Sequence, residues 1–256
     1  MRLKLLLCYQ GTAYHGWQIQ SQKAPLETIQ GVLEHAFFKL TSQEVRLTCS
    51  GRTDAGVHAL GQVAHCDVSP CDIRHWQKSL NAVLPKDIRV LSCEETQENF
   101  HARFDALSKR YDYHFWTEEN FLPPHRAPFV WDARRLNAEA MKEFLPSLLG
   151  EHDFASFQNT GTDTKTSVRT VFRAEIHALP LHPSLPPYSP ELCLTIEANG
   201  FLKQMVRNIA GLLFEIGRMK ISLSEARRIL DIKDRAKNPC RCAPPQGLTL
   251  IHVRYA

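Results

Sequence analysis

The apolar run from Leu3 to Tyr9 predicts a first strand. In ETIQGVLEHAFFKLT, Ile29, Val32, Leu33, Ala36, Phe37 and Leu40 recur at helical spacing. EVRLTCS sets Val45, Leu47 and Cys49 against polar neighbours, the pattern of a half-buried strand, and GQVAHCDVS predicts another. DIRHWQKSLNAVLP puts Ile73, Trp76, Leu80, Val83 and Leu84 on one helical face, with Pro85 ending it, and DIRVLSCEE predicts a further strand. The order is β-α-β-β-α-β, the split βαβ arrangement of ferredoxin-like folds.

The second half reads similarly. KRYDYHFW predicts a strand with Tyr111, Tyr113 and Phe115 on one side and Asp112, His114 and Trp116 on the other. NAEAMKEFLPSLLG predicts a helix with Asn137 as cap and Gly150 beyond its end. TVFRAEIHAL and ELCLTIEANG predict strands joined by the proline-rich loop PLHPSLPPYSP, which has too few backbone donors to extend a sheet. Helices are predicted over 201–219 and in SLSEARRILDI, and GLTLIHVRY predicts a last strand. The expectation is an α+β protein of two ferredoxin-like halves, residues 1–105 and 106–256. Their antiparallel sheets lie side by side and the active-site cleft runs between them. The boundary falls near NFHARFDALSK.

Composition narrows the partners. The 256 residues are 43% hydrophobic, enough for a packed core, but the longest apolar runs, such as Leu5 to Cys8, are too short to cross a bilayer. The N-terminus lacks the longer apolar stretch and cleavage site of a secretory signal. A net charge of +4 permits a polyanionic partner without demanding one. Eight scattered cysteines (8, 49, 66, 71, 93, 193, 240 and 242) suit a reduced, cytoplasmic protein. Cys240 and Cys242 have neither the usual ligand spacing nor a second pair nearby, so no metal is expected.

Three segments carry candidate chemistry. In CSGRTDAGVHALGQ, Asp54 sits in a glycine-rich turn between two strands, with Arg52 two residues before it and His58 four after. Such a turn also suits an Asp that only bonds its own backbone. The loop of an aspartic protease would need a hydroxyl at Ala55 and a second copy, and a phosphatase-type nucleophile would need an Asp at Gly56. Within 201–219, Leu202, Met205, Val206, Ile209, Leu213 and Ile216 form one apolar face. Lys203, Arg207, Ala210, Gly211 and Phe214 form the other, so the helix is covered on both sides and Arg207 points into protein-lined space. A buried Arg needs an anion, either a carboxylate in a cleft or a strand carboxylate such as Glu197. In SKRYDYHFW, Tyr111 beside Lys109 and Arg110 suits base stacking next to phosphates, although the segment taken alone reads first as ordinary half-buried strand.

Taken together and in order, these segments resemble the tRNA pseudouridine synthase A family over nearly the whole chain. The matching stretches are YQGTAYHGWQIQ, GRTDAGVHALGQVAH, LPKDIRV, FHARFDALSKRYDY, GEHDFASF, FLKQMVRNIAGLLFEIG and GLTLIHVRY, with Gln10 where the family usually has Asp. The resemblance implies isomerisation of uridine to pseudouridine at positions 38 to 40 of the tRNA anticodon stem-loop, without metal or organic cofactor, by a homodimer. It implies that Asp54 is the catalytic carboxylate and Arg207 its basic partner. Tyr111 would contact the flipped uracil and Arg52 would hold the nucleotide and its phosphate. Apart from the resemblance, the basic side chains Arg110 and Lys203 are expected to add cations for the substrate. The Asp would reach the sugar on a flexible loop poor in side chains. The rival readings are a non-catalytic RNA-binding module using the same basic residues, and a hydrolase, which lacks a second acid.

Overall fold

The computed structural model describes residues 1–20, 27–69, 75–161, 164–179 and 191–256. The proline-rich 180–190 loop, Cys71 and the expected helix start at 72–74, Ile73 included, lie outside them. The protein is mixed α and β, with five α-helices and extensive sheet among the described residues. No helix there is long and apolar enough to cross a membrane. The chain forms two compact units, Met1–Leu107 with Thr249–Ala256, and Ser108–Leu248. The sequence reading placed the terminal strand in the second half.

In the first unit, β1 (Arg2–Tyr9) pairs antiparallel with β3 (His58–Asp67) and β4 (Ile88–Thr96). The terminal β10 (Leu248–Arg254) pairs with β3 in parallel through Thr249 and Leu250. Leu3, Leu5 and Leu7 are fully buried and alternate with half-buried neighbours, the period-two signature of a strand with one face in the core. Helices α1 (Ile29–Thr41) and α2 (Trp76–Val83) bury Leu33, Phe37 and Leu80, and the Phe37 and Trp76 rings meet at 5.2 Å. Thr28 caps α1 by accepting from the Gly31 amide.

The strand expected from EVRLTCS shrinks to β2 (Thr48–Cys49), beside β3. Side chains of α1 explain this. Glu34 accepts from the Leu47 amide at 2.8 Å and Gln30 donates to the Leu47 carbonyl at 3.2 Å. A backbone whose donor and acceptor are already satisfied has nothing left for a ladder.

The second unit has the strand order β5 (Ser108–Trp116), β9 (Glu191–Ala198), β8 (Val168–Leu179), β7 (Gly150–Asp153), all antiparallel, with β6 (Trp131–Asp132) beside β5. Its core holds Tyr113, Phe115, Leu194 and Ile196 with Met141 and Phe144 of α3 (Ala138–Phe144) and Ile209 and Leu213 of α4 (Met205–Gly217). Asn137 caps α3 as expected, accepting from the Ala140 amide. A capping box at Ser222 starts α5 (Leu223–Asp231). Helix α4 begins four residues later than the periodicity suggests, because Gln204 takes the left-handed conformation (φ 60°) and interrupts the helical path.

Candidate active site

Asp54 sits half-buried in the turn that leads into β3, its carbonyl accepting from the Val57 amide at 3.2 Å. Gly56 takes φ +78°, the left-handed value such a turn needs. The segment after β1 fastens the turn through hydrogen bonds that the sequence did not reveal. The Trp17 amide donates to the Thr53 carbonyl at 3.0 Å, and the Gly56 amide donates to the Tyr14 carbonyl at 3.3 Å. The Gly11 amide donates to His58 Nδ1 at 3.1 Å. Below, the buried Tyr9 hydroxyl and Thr53 Oγ1 lie 2.8 Å apart, and Gln62 Nε2 donates to the Gly51 carbonyl at 2.7 Å and to Tyr9 at 3.4 Å. Burial raises the Tyr9 hydroxyl far above an ordinary phenol, so it stays a neutral hydrogen-bonding group.

These fasteners were not read from the sequence. The only trace of them lies in the glycines of two stretches, Gly11 in YQGTAY and Gly51 and Gly56 in GRTDAGVH. A Cβ at Gly11 would stand 2.0 Å from the Val57 carbonyl oxygen, so only glycine admits the two backbones so close. Gln10 is held through its amide, which donates to the Asp87 carbonyl at 2.9 Å, and the Asp87 carboxylate accepts from the Tyr14 hydroxyl at 2.7 Å. Burial first, then Asp87, raises the Tyr14 hydroxyl. Arg52 is exposed on the same turn, two residues from Asp54.

In the second unit, Tyr111 is 7% exposed and packs edge-on against Phe201 at 5.1 Å. Arg110 points to the other side of β5. Its guanidinium grips Asp112 through two hydrogen bonds of 3.1 and 3.0 Å, and the Thr195 hydroxyl donates to the same carboxylate at 2.8 Å. Arg110 is thus committed to a neighbour on its own strand face, away from Tyr111. Arg207 lies on α4, half-buried, with Nε donating to the Ala243 carbonyl at 2.8 Å, while the Ala243 amide returns a bond to the Arg207 carbonyl. Its charge acts on the Tyr113 hydroxyl, which burial raises and Arg207 partly lowers. Glu197, the structural alternative partner, accepts from the Ser108 hydroxyl at 2.5 Å. Lys203 is not on the helix. It precedes Gln204, is exposed, and donates from Nζ to the Thr160 carbonyl at 2.9 Å.

One cluster escaped the sequence reading. Ligand atoms of Asp112, His114 and Cys193 lie within 4.8 Å of one another on adjacent strands. Their hydrogen bonds are those of a closed polar network. Asp112 is held by Arg110 and Thr195, His114 Nδ1 lies 2.7 Å from Glu191, and burial pushes the Cys193 thiol up to about 12. Glu191 also accepts from Arg126. Burial opposes its ionisation, yet His114 and Arg126 hold its carboxyl below the usual range.

A family model described as tRNA pseudouridine synthase matches residues 7–105 and 145–256. Relatives called tRNA pseudouridine synthase A include one from Maridesulfovibrio salexigens, 44% identical, with 99% of this chain aligned to 90% of that protein. Another, from Lawsonia intracellularis, is 45% identical over 100% of this chain and 99% of its own length. One from Coxiella burnetii is 39% identical over 99% and 93%.

Proposed function

The chain belongs to the tRNA pseudouridine synthase family and isomerises uridine to pseudouridine in tRNA, and we propose that Asp54 is the carboxylate through which it acts. The observation that carries the assignment is the pinned GRTDAGVH turn. It holds one carboxylate at a fixed position on a backbone sparse in side chains. In the reaction the bond from C1′ to N1 breaks, the uracil turns and C1′ joins C5. N1 gains a proton and C5 loses one. Every atom needed is already in the nucleotide, so the protein's task is to supply a charged group and to hold the intermediate. A carboxylate serves as nucleophile at C1′ or C6, or as a base on the sugar.

The target base leaves its stack at a cost of a few kcal/mol. Tyr111 offers a ring to meet it, and stacking returns roughly 1–3 kcal/mol per base. Arg52 holds the phosphate, Lys203 adds a cation beside the 159–161 segment, and Arg207 serves the carboxylate as its basic partner. Arg110 could bind substrate only in competition with its two hydrogen bonds to Asp112. The substrate positions are 38 to 40 of the anticodon stem-loop, the enzyme is a cytoplasmic homodimer, and both halves are ferredoxin-like. The antiparallel β4-β1-β3 order with β2 beside β3 supports the last point for the first half.

The direct test is tritium release from tRNA carrying C5-labelled uridine. An isomerase releases tritium in step with pseudouridine formed. A non-catalytic binding module would retain tRNA and release none.

A further inference from the structure

Phe104 is 74% exposed, the most exposed large hydrophobic side chain among the described residues. It does not hang from a loose loop. His101 Nδ1 accepts from the Arg103 amide at 3.1 Å and from the Phe104 amide at 3.3 Å. Asp105 closes the turn: its carboxylate accepts from the His101 amide at 2.7 Å and its amide donates to the His101 carbonyl at 3.1 Å. The turn is fixed to the first unit through the fully buried Ala102. Its amide donates to His65 Nδ1 at 3.1 Å, and its carbonyl accepts from the Tyr255 hydroxyl at 2.6 Å.

On this base the rings form a short cluster, with His65 edge-on to His101 and His101 tilted against Phe104. His65 and His101 lie 4.8 Å apart, and His101 and Phe104 lie 4.2 Å apart at 32°. The exposed Arg103 guanidinium stands 5.7 Å from the Phe104 ring centre. A hydrogen-bonded turn that carries a braced ring into solvent, with a guanidinium alongside, has the two features an unpaired nucleotide meets. These are a flat apolar face for the base and a cation for its phosphate. The carboxylate within the turn, Asp105, accepts from the turn's own His101 amide.

We infer that Phe104, supported by His101 and flanked by Arg103, is a stacking platform for an unpaired tRNA base, separate from the Asp54 turn. The inference rests on the reading that tRNA is the substrate. It adds a contact that fixes the tRNA without touching the reacting uridine.

The test is equilibrium binding of an unmodified tRNA transcript to wild type, Phe104→Ala, Phe104→Tyr and Phe38→Ala. Phe38, 47% exposed on α1, is the control for loss of an exposed ring. Loss of one stacked base predicts a Kd raised about 5- to 150-fold for Phe104→Ala, or about 1–3 kcal/mol. Phe104→Tyr keeps the stacking face and restores binding to near wild type, and Phe38→Ala binds as wild type does. Single abasic substitutions in the unpaired nucleotides then locate the partner. One of them weakens wild type but adds nothing to the loss in Phe104→Ala. A Phe104→Ala protein with wild-type Kd overturns the proposal, as it would if the ring served a protein partner instead. Additive losses at every abasic position overturn it too. Both readouts are binding, so they judge Phe104 independently of turnover. A wild type that binds tRNA and releases no tritium removes the isomerase reading and leaves this one standing.

Discussion

The hydroxyl of Tyr111 separates two ways its ring serves a flipped uracil. The ring is braced edge-on by Phe201, so Tyr111→Phe keeps the apolar face in place and removes only the oxygen. If the hydroxyl takes part in proton transfer at C5, turnover falls roughly 10²–10⁴-fold. That is the expected outcome, measured as single-turnover pseudouridine formation, and a variant at wild-type rate reduces the role to stacking. Glu191 carries a different residue-level consequence. His114 and Arg126 hold its carboxyl below the ordinary range, so it binds fewer protons folded than unfolded. Its stabilisation is therefore complete above the ordinary Glu pKa of about 4.3 and is lost as pH falls through the lower folded value. Glu191→Gln should lower stability at pH 7 by about 1–3 kcal/mol, the worth of charge-assisted hydrogen bonds. It should also flatten the loss of melting temperature between pH 5 and pH 3. An unchanged acid slope in the variant would refute the assignment.

Elements decide whether these residues are where they must be. The turn carrying Asp54 owes its position to the segment after β1, and the tightest point between them is Gly11 against Val57. A methyl there needs room the backbone does not have, so Gly11→Ala should cost about 1–3 kcal/mol, typical of overpacking, and displace the turn. Turnover should fall at least about tenfold while tRNA affinity stays near wild type. Full activity in a protein of normal melting temperature would show that the turn tolerates the shift. The sequence disclosed the two segments but not their contact, because amide-to-carbonyl bonds leave no trace in side-chain pattern. The same blindness explains the short β2, since Gln30 and Glu34 look like ordinary polar helix residues. It also explains Lys203, which falls on the Arg207 face only if the helix runs through Gln204. Arg110 is another matter. Strand alternation already set it on the Asp112 side of β5, and reading it with Tyr111 followed adjacency in sequence rather than the period of two.

At the scale of the whole molecule, most strands and the five helices among the described residues were legible as periodicity, since most bury one face while α4 is buried nearly all round. The allotment of the terminal strand was not. GLTLIHVRY fits any sheet equally well, and its parallel partner β3 is nearly two hundred residues earlier in the chain. Affinity and chemistry also separate at this scale. Binding of a polyanion is spread over many phosphate contacts, whereas isomerisation depends on one carboxylate. The central claim is therefore tested most directly by Asp54→Asn, which keeps the size and removes the charge. In a folded variant with tRNA affinity within about tenfold of wild type, or roughly 1.4 kcal/mol, tritium release from C5-labelled tRNA should be undetectable. Release at even a hundredth of the wild-type rate by the same folded protein would contradict the role given to Asp54.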